Sequence, residues 1–216
     1  MQIAILLFDR LTALDAIGPY EVLSRLPGAE LDFVVAKPGT VRTDTDRLGL
    51  EAGRSIAEVP APDVVLVPGG EGNRPLLRDE PVLAWLRSAH ELTRFTSSVC
   101  TGALVLGAAG ILDGLRATTH WAYLDALSGF GATPVGERVV EDGKVITAAG
   151  VSSGIDMALY LAAKLAGEDA AKAIQLGIEY DPEPPFDAGS PRKAPDNVVE
   201  AVRKLEDLSD LPSPTR

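Results

Sequence analysis

The sequence predicts an α/β fold in which a mostly parallel sheet lies between two layers of helices. Three observations lead there. Short continuous apolar runs such as Ile3–Phe8 and Asp63–Val67 mark strands buried on both faces. Stretches with helical patterning alternate with those runs, as crossover connections between parallel strands require. The chain has 216 residues, 46% hydrophobic and 24% charged, enough for one domain with a real core.

The elements follow in order. Ile3–Phe8 is the first strand, and Leu14–Gly18 leads into a helix over Tyr20–Leu26, with Pro19 near its first turn. Pro27-Gly28 stops that helix, and Leu31–Ala36 is the second strand. Thr40–Ala52, polar with alternating apolar positions, reads as a small hairpin. Asp63–Val67 is a buried strand closed by Pro68-Gly69-Gly70. Pro81–Leu92 is an amphipathic helix with Val82, Leu83, Leu86 and Ala89 on one face. Phe95–Val99 is a strand ending at Cys100, and Gly102–Ala109 is a tightly packed helix. Lys144–Ala148 is a late strand, and Gly154–Leu165 is an apolar helix capped by Ser152 or Ser153. Asp181–Pro195 carries five prolines and is expected as an irregular surface loop. Asn197–Leu208 resumes as a helix, so a single domain over 1–208 with a flexible tail over 209–216 is expected.

Charge and composition exclude several function classes. With 20 basic against 31 acidic side chains the net charge is −11, which disfavours nucleic acid and anionic membrane surfaces. Gly102–Leu112, the longest apolar stretch, falls short of the roughly 20 residues that span a bilayer. Met1-Gln2-Ile3 opens into a strand with no basic leader region, so a cytoplasmic location is expected. One cysteine and two histidines make neither an intrachain disulfide nor a structural zinc site, and no metal is expected.

Ser98-Val99-Cys100-Thr101-Gly102-Ala103 carries the most chemistry. A strand running straight into a helix projects its corner residue into the crevice beyond the strand ends, and the small neighbours permit the tight bend. Such a nucleophile elbow aims helix N–H groups at the sulfur, which favours thiolate. The residues alone leave open whether Cys100 is reactive or simply a small buried hydrophobe. A nucleophile needs a proton-moving partner. His90 reads as a solvated helix residue, while His120 could reach the crevice or serve a structural role. Asp15 and Glu21 follow the first strand and open onto the same sheet edge, either as acid–base groups or as helix-start acids.

Several motifs together give a resemblance. Leu14-Asp15 with Gly18-Pro19-Tyr20-Glu21, Val67-Pro68-Gly69-Gly70, the cysteine segment and Ala117-Thr118-Thr119-His120-Trp121 belong to it. So do Glu137-Arg138-Val139-Val140, Gly150-Val151-Ser152-Ser153-Gly154 and Asp181-Pro182-Glu183-Pro184-Pro185-Phe186. The chain resembles the PfpI/ThiJ superfamily, related to class I glutamine amidotransferases, and within it the isonitrile (isocyanide) hydratases. Amidase-like transcription regulators share several of these motifs but add a helix-turn-helix domain.

The resemblance implies a flavodoxin-like three-layer sandwich, a homodimer, and no cofactor. It implies Cys100 as nucleophile and Asp15 as the catalytic acid beside the sulfur, with Glu21 a plain helix residue. Thr101, Gly150 and Val151 would surround the sulfur, Gly70 could offer an N–H, and His120 would support the pocket. Ile17 and Trp121 are expected to wall the space for the substrate's R group. The implied reaction hydrates an isonitrile to an N-substituted formamide through a cysteine thioimidate, with the isonitrile and water as partners. The alternatives are a glyoxalase-like enzyme of the same superfamily and a non-catalytic cysteine sensor of oxidative stress.

Overall fold

The computed structural model describes residues 1–206. In chain order β1 (Gln2–Leu6), α1 (Ala13–Leu23) and β2 (Glu30–Val35) are followed by the hairpin β3 (Gly39–Arg42) and β4 (Gly49–Ala52). Then come β5 (Arg54–Ser55), β6 (Val64–Val67), α2 (Asn73–Leu76), α3 (Glu80–Leu92), β7 (Phe95–Val99) and α4 (Gly102–Ala108). The chain continues through β8 (Arg116–Ala117), a 3-10 helix (Trp121–Phe130), β9 (Thr133–Pro134), β10 (Val139–Asp142) and β11 (Val145–Ala148). The last elements among the described residues are α5 (Ser153–Ala166), α6 (Glu168–Gly177) and α7 (Asp196–Arg203).

Seven strands form one sheet in the order β10-β11-β7-β6-β1-β2-β5, and every pairing in it is parallel except the edge pair β10–β11. Ile3–Leu6, Val64–Val67, Thr96–Val99 and Val145–Ala148 are all buried, which requires cover on both sheet faces. The helices supply it in two groups, α1 against α5 with α6 beyond, and α2 and α3 against α4. The chain leaves β1 for β2 on one side and returns to β6 on the other. The carboxyl ends of β1 and β6 therefore flank a topological switch point, the usual seat of ligands in such sheets. No helix among the described residues is long and apolar enough to cross a membrane.

Three sequence expectations change. The first helix starts at Ala13, not Tyr20, so Pro19 sits inside it. Proline has no N–H to give the Asp15 carbonyl one turn back. Packing overrides that loss: a side chain at Gly18 would press on Ile155, and one at Gly154 would meet Val99 and Pro19, so α1 and α5 meet closely over these small residues. Second, α6 and the 3-10 helix at 121–130 were not foreseen. Third, neither serine caps α5 as expected: Ser152 occupies the cap position but makes no capping bond, its hydroxyl accepting instead from Arg138 at 3.3 Å, and the Ser153 hydroxyl is buried without a partner among the described residues. The loop at 181–195 contains no regular element, and α7 ends at Arg203. The expected boundary at 208 and the tail at 209–216 lie outside the described residues.

Candidate active site

Three strand ends and the first turn of α1 converge on one sulfur. Cys100 follows β7 directly and has φ +55°, a left-handed conformation that costs a side-chain-bearing residue roughly 1–3 kcal/mol. Neighbouring bonds hold it there. Its N–H is shared between the carbonyls of Ala148 and Ala149 at 3.1 and 2.9 Å, at the end of β11. Its carbonyl accepts the Thr119 hydroxyl at 2.7 Å. One residue on, the Thr101 carbonyl accepts the buried Asn73 side chain at 3.0 Å.

The bend needs glycine on its far side. A Cβ on Gly102 would lie 2.1 Å from the Val67 carbonyl oxygen, so α4 can start against β6 only without a side chain there. A Cβ on Gly69 would fall within 3 Å of both Thr101 and Asp15. Gly70 has φ +126° and would meet the backbone at Leu11 and Thr12.

Asp15, in the first turn of α1, is wholly buried and faces the Cys100 thiol. Its Oδ2 accepts the Gly69 N–H at 2.9 Å, while Oδ1 receives no N–H or O–H donor among the described residues. Burial raises the Asp15 carboxyl from 3.8 to about 7, against the opposing pull of the Gly69 N–H and the thiol. The sulfur accepts N–H groups from Thr101 and Val151, which favour thiolate. Burial, seconded by the charge of Asp15, nevertheless pushes the Cys100 thiol well above its ordinary value. The helix-terminus effect expected from the sequence is present but outweighed. Two acids so close titrate as a unit, and above about pH 7 the pair retains one proton.

A cavity of about 500 Å³ opens over the sulfur, a size that suits a small ligand. Cys100, Thr101, Gly70, His120 and Val151 are on its wall. The Gly70 N–H is already given to the Thr101 hydroxyl at 3.0 Å, so it organises the wall rather than offering a free donor. Gly150 lies behind His120, where a Cβ would approach the ring to 2.5 Å. The structure does not place Ile17 or Trp121 on the wall. Ile17 belongs to the half-buried surface of α1, and Trp121 sits under the Arg203 guanidinium at 5.5 Å.

The His120 ring nitrogen Nδ1 accepts the Ala122 N–H at 3.4 Å, and burial holds the ring below its ordinary pKa, so it is neutral at pH 7. His90 is remote, bonded to Thr96 at 2.9 Å, and Glu21 pairs with Arg25 at 2.7 Å.

Sequence reasoning missed Asn73, Thr119, Leu104, Tyr123, Arg74 and Glu206. Nothing local separates Thr119 from Thr118, since both hydroxyls donate to carbonyls 19 residues away. Tyr123 and Glu206 are 83 residues apart and carry no local signal. Among the described residues there is no cluster of metal-ligating side chains.

Comparison with known proteins fits this geometry. Residues 1–164 match the pattern of the DJ-1/PfpI family. The chain belongs to the DJ-1/PfpI family. It is 48% identical over 94% of its length to an isonitrile hydratase of Pseudomonas putida, covering 89% of that protein. A THiJ/PfpI family protein from Pseudomonas syringae superposes with a TM-score of 0.92 at 38% identity, over 94% of this chain and 85% of the other. The helix-turn-helix regulator GbdR of Pseudomonas aeruginosa is 29% identical over 83% of this chain but only 51% of its own length. Within the DJ-1/PfpI family, the α/β fold with a mostly parallel sheet is the common frame.

Proposed function

We propose that this DJ-1/PfpI chain is an isonitrile hydratase, converting R–N≡C and water to an N-substituted formamide. The observation that carries this is the Cys100–Asp15 pair: a sulfur held by two backbone N–H groups against a buried carboxyl that titrates near 7. The 48% identity to the Pseudomonas putida hydratase supports the same substrate class.

Each group then has a task. As Sγ bonds to the terminal isonitrile carbon, the proton held by the pair passes to that carbon, the triple bond becomes C=N, and Asp15 is left ionised. The product is the thioimidate R–N=CH–S–Cys100. Asp15 takes a proton from water while the water oxygen adds to the same carbon, then hands that proton to nitrogen. The tetrahedral adduct loses its hydroxyl proton to Asp15, the C–S bond breaks, and the formamide leaves with the pair re-protonated once. One nucleophile and one proton shuttle suffice. A carboxyl near 7 serves as both acid and base at neutral pH, which an ordinary aspartate at 3.8 would not. Thr101, Val151, Gly70 and His120 shape the space around the reacting carbon. The same proposal includes a homodimer, on family resemblance alone.

The test is incubation with a simple aromatic isonitrile, following formamide by NMR. Wild type should turn over, and Cys100→Ser and Asp15→Asn should not, with both variants retaining native circular dichroism. Lactate from methylglyoxal, with no formamide, would instead assign the site to carbonyl chemistry.

A further inference from the structure

The far wall of the cavity comes from a part of the chain with no role in the chemistry. Beyond the proline-rich loop, the residues just after α7 reach the cavity, where Glu206 and the largely exposed Leu205 join its lining at the rim. This arm is lightly attached. None of its helical residues is buried, and an eight-residue helix is too short to be stable alone. The attachment lies at its end. The Tyr123 hydroxyl donates to Glu206 Oε2 at 2.7 Å, and Arg203 stacks over Trp121 at 5.5 Å. Both receiving rings stand in the 3-10 helix that follows Thr118-Thr119-His120, the segment that also fixes the Cys100 carbonyl. Burial and the Glu206 carboxylate hold the Tyr123 phenol well above its ordinary pKa, so it stays a donor throughout the neutral range.

Building on the hydratase reading, we propose that Tyr123, Leu205 and Glu206 determine specificity, setting the largest R group that reaches Cys100. The Tyr123–Glu206 bond fixes the arm, the arm fixes Leu205 at the rim, and the span left between Leu205 and the Leu104 side of the cavity limits the substrate. The class favoured is compact isonitriles, with bulky polycyclic ones excluded by the arm rather than by the chemistry.

Cys100 is the chain's one cysteine, so alkylation of the intact protein reports access to the site whether or not it hydrates anything. The probes are iodoacetamide, which is small, and N-(1-pyrenyl)maleimide, which is bulky, used on wild type, Tyr123→Phe, Glu206→Ala, Leu205→Ala and the Tyr123→Phe/Glu206→Ala double variant. The bulky-to-small rate ratio should rise about tenfold on loss of the charged hydrogen bond. The double variant should fall well short of the sum of the two single variants, because both changes remove the Tyr123–Glu206 bond, although Tyr123→Phe also removes the phenol's bond with Arg74. Leu205→Ala should raise the ratio while leaving the Tyr123–Glu206 bond in place. For isonitriles, kcat/KM for a bulky substrate should rise against that for methyl isonitrile by the same factor. An unchanged alkylation ratio in the single variants, or additive effects in the double, overturns the proposal. If no isonitrile is hydrated while the alkylation ratio shifts as stated, the hydratase reading fails and the arm keeps its role as the size limit of the site.

Discussion

Replacing Asp15 by asparagine should make the protein more stable, and increasingly so as pH rises. The carboxyl titrates at about 7 in the folded chain against 3.8 when unperturbed. The folded state thus holds a proton that the unfolded state has already released, and folding loses stability as pH climbs from the unfolded value to the folded one. The interval is about three pKa units at 1.36 kcal/mol each, so roughly 4 kcal/mol is lost between pH 4 and pH 8. Asparagine has the same shape, its amide oxygen can still accept the Gly69 N–H, and it carries no charge at any pH.

The assay is thermal or urea unfolding of wild type and Asp15→Asn at pH 4, 6 and 8. The gap should be small at pH 4 and approach 4 kcal/mol at pH 8, which for a chain of this length is about 8–16 °C in Tm. Apart from Cys100, which titrates in the alkaline range, charges elsewhere titrate alike in both proteins, so the growth of the gap between pH 4 and 6 isolates this one carboxyl. A gap that stays flat with pH, or shrinks toward alkaline pH, would refute the claim that burial dominates at Asp15. Such a result would mean that the carboxylate is ionised and well solvated by its neighbours at neutral pH.

Other perturbations test separate parts of the site. Removing the Asp15 charge in Asp15→Asn should lower the Cys100 pKa, so the pH midpoint of iodoacetamide alkylation should move down; an unchanged or higher midpoint would contradict the coupling. Hydratase kcat/KM should rise with pH through about 7 as the pair gives up its second proton, and a bell centred near 4 would disprove the pairing. Thr119→Val removes the bond to the Cys100 carbonyl and should cost about 1–3 kcal/mol in urea unfolding, with a parallel fall in kcat. Gly102→Ala should destabilise by at least 1–3 kcal/mol, the usual penalty of overpacking, because its methyl would lie inside the contact distance of the Val67 carbonyl.

The parts legible in the sequence are those whose signal is local. Val64–Val67 and Phe95–Val99 are strands because their burial on both faces is written as unbroken apolar or small residues. Cys100 stands out as a lone cysteine at the junction of such a run with a helix. The first helix was placed too late because Pro19 is a strong local breaker, whereas its tolerance depends on Gly154 and Ile155 of a distant helix. Ile17 and Trp121 are apolar side chains suited to wall an R-group pocket, but residue type alone does not place a side chain. The backbone instead turns Trp121 toward Arg203. Tyr123 and Glu206 were invisible because only the folded chain brings them together.

This division has a physical cause. The chemistry at Cys100 is assembled from three strand ends and one helix start, each rigid: Gly69 after β6, Cys100 after β7, Val151 after β11 and Asp15 in the first turn of α1. Strand ends in a buried parallel sheet are fixed to within the sheet's own register, so groups placed there meet with little loop freedom to lose. That rigidity is what lets a left-handed Cys100 and an unpaired buried carboxyl oxygen persist, since neither would survive in a mobile loop. Among the described residues, the segment at 203–206 is held only by side-chain contacts to the 3-10 helix, and it touches no reacting atom. Changes at positions 203–206 should therefore alter which isonitrile enters, while changes at the strand ends alter whether the reaction occurs at all.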